Sequence, residues 1–236
     1  MRPASEELPL GERLQWRPAP TPAPIVLRGK RVLLRPLDPR ADAEELYRIS
    51  HEPSGDQSIW TYLPEGPYPS SAALRAALQA RQHSRDPLFF AIVPGGQVKA
   101  QGVASLLRIK PEHGVLEVGH IWYGPALRRT AAATEAIYLL ARHALDELGY
   151  RRLEWKCDAL NARSRRAAER LGFQFEGIFA RHMVVKGRNR DTAWYAITDV
   201  SWPHVRAALE AWLDESNFDA HGRQLRKLAE LRAALA

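Results

Sequence analysis

The sequence predicts an α+β domain, a mixed and mainly antiparallel central sheet flanked by helices. Three observations predict it. The chain has 236 residues, 45% hydrophobic and 26% charged, a composition that supports one sizeable core. Its middle third holds three strand-like runs with turn signals and no helix between them. The strand runs that follow are separated by amphipathic helices, so strand–helix–strand units come after an antiparallel block.

The elements follow in order. Residues 1–28 read as an extended arm, because "RPAPTPAPIV" alternates proline with small residues and leaves the backbone unpaired. Trp16 is placed to pin this arm to the body. "KRVLLRPL" is a strand with Val32 and Leu34 on one face. Asp38 and Pro39 start a helix over "ADAEELYRISHE" as N-cap and first helical residue. Residues 53–69, "PSGDQSIWTYLPEGPYP", form a loop rich in turn formers and aromatics. Trp60 and Tyr62 read equally well there as ligand contacts or as plugs of the core. "SSAALRAALQARQHS" is a second helix.

"LFFAIV" and "VKAQGVASLLRI" flank "PGGQ" as a hairpin, and "VLEVGHIWY" is the next strand. A long helix then carries Ala133, Ile137, Leu140, Ala141, Ala144 and Leu148 on one face and ends at Gly149. "RRLEWKCD" alternates Leu153, Trp155 and Cys157 against Arg152, Glu154 and Lys156, so it is a strand. Asn161 caps "ARSRRAAERL", which Gly172 closes. "FQFEGIFARHMVV" and "TAWYAITDV" are strands around the turn "KGRNRD". Pro203 starts the helix "PHVRAALEAWL". A last amphipathic segment shows Leu225, Leu228 and Leu231. The division is an arm over 1–28, a domain over 29–213 and a helical extension over 214–236.

The net charge is +7, from 34 basic and 27 acidic residues, and the basic residues are dispersed. This fits a solvated surface, not a nucleic-acid stripe, and leaves room for a small polyanionic ligand. One cysteine excludes a disulfide framework and a multi-cysteine metal site. No run approaches the roughly 20 apolar residues of a spanning helix. The expectation is a cytoplasmic protein with no membrane, metal or nucleic-acid partner, either monomer or homodimer.

"LRRTAAATEA", Leu127 to Ala136, joins a strand to a helix. A helix N-terminus offers unpaired N–H groups and partial positive charge, so it binds phosphate unaided. Arg128 and Arg129 add full charges, and Thr130 or Thr134 adds a hydroxyl. The alanines at 131, 132 and 133 keep the amides approachable. An Ala-rich, Thr-capped helix start has the same appearance, and these residues alone do not separate the two readings.

"GHIWYGPALRRTAAATEA" resembles the strand–turn–helix of the acetyl-CoA-dependent N-acetyltransferases, the GNAT superfamily. "NARSRRAAERLGF" is similar to its second signature, and "KGRNRDTAWYAI" resembles the terminal hairpin of its RimJ/RimL-like branch, the N-terminal acetyltransferases of ribosomal proteins and their relatives. The resemblance spans about residues 30–213 and implies the GNAT-like acyl-CoA N-acyltransferase fold. It implies that Arg128, Ala131 and Ala133 occupy the pyrophosphate turn, with Ala131 in place of a glycine. It implies that a bulged strand exposes backbone groups of Ile121, Trp122 and Tyr123 to pantetheine. Gly119 is the expected bulge residue.

The implied reaction is direct attack of an amine on the acetyl thioester of acetyl-CoA. Glu117 is the leading base and His120 the second; burial suits Glu117 to the task by raising its pKa. Ser164 is implied to protonate the leaving thiolate. Asn161 and Arg165 are implied to touch the cofactor. On the substrate side stand Trp60, Tyr62, His120, Arg181 and Asp191, with Asp191 read foremost as a brace of the hairpin; His182 gives a weaker signal. Cys157 lies on the apolar face and reads as core, not as a nucleophile. The acceptor is a protein N-terminus or a small amine. The alternative is a non-catalytic acyl-CoA-binding or interaction protein on the same fold.

Overall fold

The structure is a computed structural model that describes residues 8–51 and 55–235. Residues 1–7 of the predicted arm, and Glu52 to Ser54 after the first helix, fall outside them. An eight-stranded sheet runs through the domain in the order β1-β2-β3-β4-β5-β6-β8-β7. Its strands are β1 (Leu27–Arg28), β2 (Val32–Pro36), β3 (Leu88–Pro94), β4 (Gly102–Lys110), β5 (Val115–Tyr123), β6 (Arg152–Asp158), β7 (Gln174–Val185) and β8 (Arg188–Thr198). The helices are α1 (Pro39–His51), α2 (Ser71–Arg81), α3 (Ala131–Arg142), α4 (Ala162–Leu171), α5 (Trp202–Leu213) and α6 (Leu228–Ala234). The α+β mixed sheet is as expected. Every neighbouring pair is antiparallel except β5 with β6.

Strand alternation divides the core in two. Leu34, Phe90, Leu106, Leu116, Leu153 and Tyr195 face α3, α4 and α5 on one side. Phe89, Val93, Val103 and Trp122 face α1 and α2 on the other. Each fully buried side chain of this size contributes about 1.5–3 kcal/mol. The second cluster draws its strand residues from β3, β4 and β5, so α1 and α2 cover only that half of the sheet.

Several details depart from the sequence reading. A short β1 precedes the first predicted strand, and the turn between them is tied down by Glu135 of α3. That buried carboxylate accepts N–H bonds from Lys30 (2.9 Å) and Arg31 (2.6 Å). The long helix is α-helical only to Arg142 and then widens into a π-helical turn over His143–Glu147. The β7–β8 turn is Lys186–Gly187 alone, because Arg188 to Asp191 are already in β8. In the C-terminal segment Leu228 and Leu231 are buried, but Leu225 is 64% exposed, since it precedes α6 and has no helical face to share.

Residues 8–26 form neither helix nor strand. Trp16 holds them to the body: its indole N–H donates to the Glu112 carbonyl at 2.9 Å, and the Arg151 guanidinium lies 5.7 Å from its ring. Gly114 makes room for that ring. It has φ +62°, and an added Cβ would come within 2.5 Å of Trp16. Gly114→Ala is therefore expected to lose about 1–2 kcal/mol of stability and to open the arm to proteolysis. A variant with unchanged denaturation midpoint and cleavage pattern would show that the arm is not held this way.

Candidate active site

Strands β5 and β6 pair through Val115↔Arg152, Leu116↔Leu153 and Glu117↔Glu154, then stop pairing, although β5 continues to Tyr123 and β6 to Asp158. Beyond that point β5 stays with β4 and β6 stays with β8. A gap with unpaired strand edges is left between them.

A β-bulge sets the geometry of the β5 side. Ser105 pairs with Gly119 and Val103 with Trp122, so His120 and Ile121 together oppose Ala104. The left-handed residue is His120, at φ +48°, and not the expected Gly119. Glycine is not needed because the imidazole is held. His120 Nδ1 lies 2.9 Å from Ser105 Oγ, and the Ser105 hydroxyl donates to the Gly119 carbonyl at 3.1 Å. The serine has one proton and spends it on Gly119, so its lone pair accepts from Nδ1–H. That assigns the tautomer and leaves Nε2 with a lone pair. The extra residue also reverses the alternation. Ile121 and Tyr123 pack with the α3 side, and Trp122 turns to the α1–α2 side.

His120 lines a half-open cleft with Trp60, Tyr68, Phe89 and Trp122. Burial first, then Arg81 and Arg108, push its pKa down from 6.5 to about 4. Glu117 is 5% exposed. One of its carboxylate oxygens lies 3.2 Å from Lys156 Nζ and 3.4 Å from Arg108 Nε. Burial raises its pKa, while Lys156 and Arg108 oppose the rise. Lys156 is itself buried. It pairs with Glu154 at 2.6 Å and sits 3.8 Å above the Trp194 ring.

On the far side of the gap, Thr130 caps α3, its Oγ1 accepting from the Ala133 N–H at 3.2 Å. Ala131 and Ala132 lie in the first turn, where N–H groups have no intrahelical partner. Ala131 is regular helix; the left-handed residue before it is Arg129, at φ +60°. Arg128 does not point along the helix start. Its guanidinium is paired with Asp56, and its Nε donates to the Tyr123 carbonyl at 2.9 Å. Thr134 is buried and accepts from Arg170 at 3.0 Å. Asn161 caps α4 by accepting from Ser164 N–H at 3.1 Å. Ser164 faces inward, its Oγ accepting from the Trp155 indole at 2.9 Å. Arg165 donates to the Tyr195 hydroxyl at 3.0 Å. The Cys157 thiol is buried, and burial raises its pKa.

The structure thus brings Trp60, His120 and Trp122 to one cleft. Tyr62 does not line it; its hydroxyl donates to the Leu160 carbonyl at 3.3 Å. Arg181 and Asp191 are in the β7–β8 hairpin and do not line the cleft. There the Asp191 carboxylate accepts from Arg181 N–H at 2.7 Å and from Asn189 at 2.9 Å. His182 shares a hydrogen bond with Thr192 at 2.9 Å. Ser105, Arg108, Lys156 and Asp56 were missed in the sequence. Ser105, Arg108 and Lys156, polar residues within strand runs, carried a signal; Asp56 carried none.

Residues 31–174 match the acetyltransferase (GNAT) domain. The chain is 45% identical to a GCN5-related N-acetyltransferase from Brucella melitensis, with a TM-score of 0.89 over 93% of this chain and 99% of that one. A GNAT-family acetyltransferase from Bacillus anthracis shares the fold at 21% identity and a TM-score of 0.64, over 75% of this chain and 99% of that one. A spermidine N-acetyltransferase from Vibrio cholerae, in complex with CoA and spermine, does so at 19% identity and a TM-score of 0.60, over 74% and 99%. No curated protein matches the sequence. The chain is an acetyltransferase-fold protein, and it belongs to the GNAT family.

The depressed pKa of His120 predicts a pH dependence. An imidazole buried neutral supports the fold fully above pH 6.5, and that support is lost as pH falls toward about 4. Denaturant melts at pH 7 and pH 4.5 should show the wild type losing more stability than His120→Gln, by up to about 3 kcal/mol. Equal losses would mean that His120 is not held neutral.

Proposed function

We propose that the protein is an acetyl-CoA-dependent N-acetyltransferase of the RimJ/RimL-like branch, acting in a ternary complex on an amine. The observation that carries this is the gap between β5 and β6, bulged at His120 and closed at its far end by the start of α3. The residues present fit acetyl-CoA. The unpaired β5 edge at Ile121 to Tyr123 suits the amides of pantetheine. The Ala131 and Ala132 N–H groups and the exposed Arg129 suit the pyrophosphate. Ala131 needs no glycine there, because its backbone is helical. Arg128 contributes by holding the 55–69 loop in place. No helix among the described residues is long and apolar enough to cross a membrane, and a reducing, cytoplasmic setting suits the single buried cysteine.

The chemistry is aminolysis of a thioester. The amine nitrogen bonds to the acetyl carbon, the carbonyl π pair moves to oxygen and is steadied by a backbone N–H of β5, and the C–S bond then breaks. The nitrogen must shed a proton. Of the two bases the sequence offers, the geometry favours His120. His120 lines the cleft, whereas Glu117 does not and lies within ion-pair distance of Lys156 and Arg108. The Ser105 hydroxyl keeps the Nδ1–H tautomer in place. Ser164 Oγ accepts from the Trp155 indole and lies within hydrogen-bond reach of the Cys157 thiol, and its hydroxyl is the group assigned to protonate the departing sulfur.

His120→Gln is expected to lower kcat by about 10²–10⁴ while acetyl-CoA still raises the melting temperature as in the wild type. Glu117→Gln should keep turnover within several-fold. The reverse pattern would make Glu117 the base. Absence of any acetyl-CoA thermal shift at millimolar concentration would remove the cofactor reading and favour an interaction protein on this fold.

A further inference from the structure

Three ties draw the 55–69 loop across the cleft. Asp56 pairs with Arg128, beyond the end of β5. The Trp60 carbonyl accepts from Lys186 Nζ at 2.7 Å, in the β7–β8 turn. Tyr62 reaches Leu160, beyond the end of β6, at 3.3 Å. These anchors stand on both sides of the β5–β6 gap, so the loop is a strap and not a groove wall. An extended peptide running across the cleft would have to displace it. What remains is the half-open space beneath the strap, with His120 among its lining residues.

The ionisable groups lining that space are Glu65, Arg81, His120 and the Tyr68 phenol, and the buried Trp60 indole N–H there has no hydrogen-bond partner among the described residues. Glu65 is paired with Arg81 and also accepts the Tyr68 hydroxyl at 2.6 Å. Arg81 is thereby neutralised, and its guanidinium stacks 5.5 Å from the Phe89 ring. Arg108, near His120, is engaged with Glu117. Among the described residues that line the cleft, no carboxylate is left for a second ammonium group, and no cation for a substrate carboxylate. The faces of Trp60, Tyr68, Phe89 and Trp122 are what the cleft offers a ligand. Such faces favour an apolar or aromatic body, and they attract one ammonium group on arrival. The cleft is half-open to solvent, so a ligand enters it from the side the strap leaves uncovered.

We infer that the acceptor is a small primary monoamine with an apolar or aromatic body, and not a polyamine, an amino acid or a protein N-terminus. This rests on the acetyltransferase reading above and specifies its substrate. The spermidine enzyme shares the fold, but burying a second ammonium here would leave it unpaired.

The test is CoA release by the full chain with acetyl-CoA and each of four acceptors: 2-phenylethylamine, spermidine, glycine and a short peptide with a free N-terminus. Turnover of 2-phenylethylamine should exceed the others at least tenfold in kcat/KM. Tyr68→Leu should raise KM for it several-fold and leave the acetyl-CoA thermal shift unchanged. Preference for any other acceptor overturns the inference, and so does failure to turn over 2-phenylethylamine. In those cases the acetyltransferase reading stands if acetyl-CoA still shifts the melting temperature or another acceptor is acetylated. It falls with the inference only if neither occurs.

Discussion

The parting of β5 from β6 after Glu117↔Glu154 is the constraint on which the rest of the structure depends. Two parallel strands that stay paired would form a closed sheet with no room for a pantetheine arm. Each strand instead keeps its outer partner, so the gap opens without leaving either strand unsupported. The bulge on β5 adds the second element. One extra residue in nine turns His120 into the cleft and moves Trp122 to the opposite core from Leu116 and Val118. The same local event positions a neutral imidazole and builds the aromatic wall beside it.

Charge holds the point of divergence. Arg152 joins Glu176 and Glu154, Glu154 joins Lys156, and Lys156 and Arg108 both reach Glu117. Three acids and three bases thus alternate across β4, β5, β6 and β7. The inner members of this network, Glu117, Glu154 and Lys156, are buried, and losing one of them leaves the partner as an uncompensated charge. It accounts for a glutamate in an apolar strand by its ion-pair partners, whatever its part in the reaction. Above it, the strap couples the two halves of the site. Arg128 joins the end of β5 to the loop that carries Trp60, and Asp56 is accordingly held well below the usual carboxylate range, at about 2, by Ser58 and Arg128.

Most of the fold was legible because the pattern was strong. The run "VLEVGHIWY" is β5 to the residue, and Thr130, Asn161 and Gly172 cap helices as their side chains and backbone freedom predict. Interactions distant in sequence were not legible. Glu135 appeared as part of a helix start, and only the fold shows it bonded to Lys30 and Arg31, over a hundred positions away. The bulge was placed near the right position but on the wrong residue, because glycine propensity points to Gly119 and the Ser105–His120 contact is tertiary. Arg128 looked like a phosphate ligand from its neighbours, and its pairing with Asp56 spans 72 positions that no local pattern reports. Local chemistry marks the start of α3 as the proposed pyrophosphate turn, and long-range contacts set which side chains stand free beside it.

The central claim is that acetyl-CoA lies in the gap between β5 and β6 and on the start of α3. Amide hydrogen exchange with and without acetyl-CoA tests it most directly. Protection should rise at Ile121 to Tyr123 and at Arg129 to Ala132, with little change in α5 or α6. Protection elsewhere, with exchange at these two segments unchanged, would contradict the account.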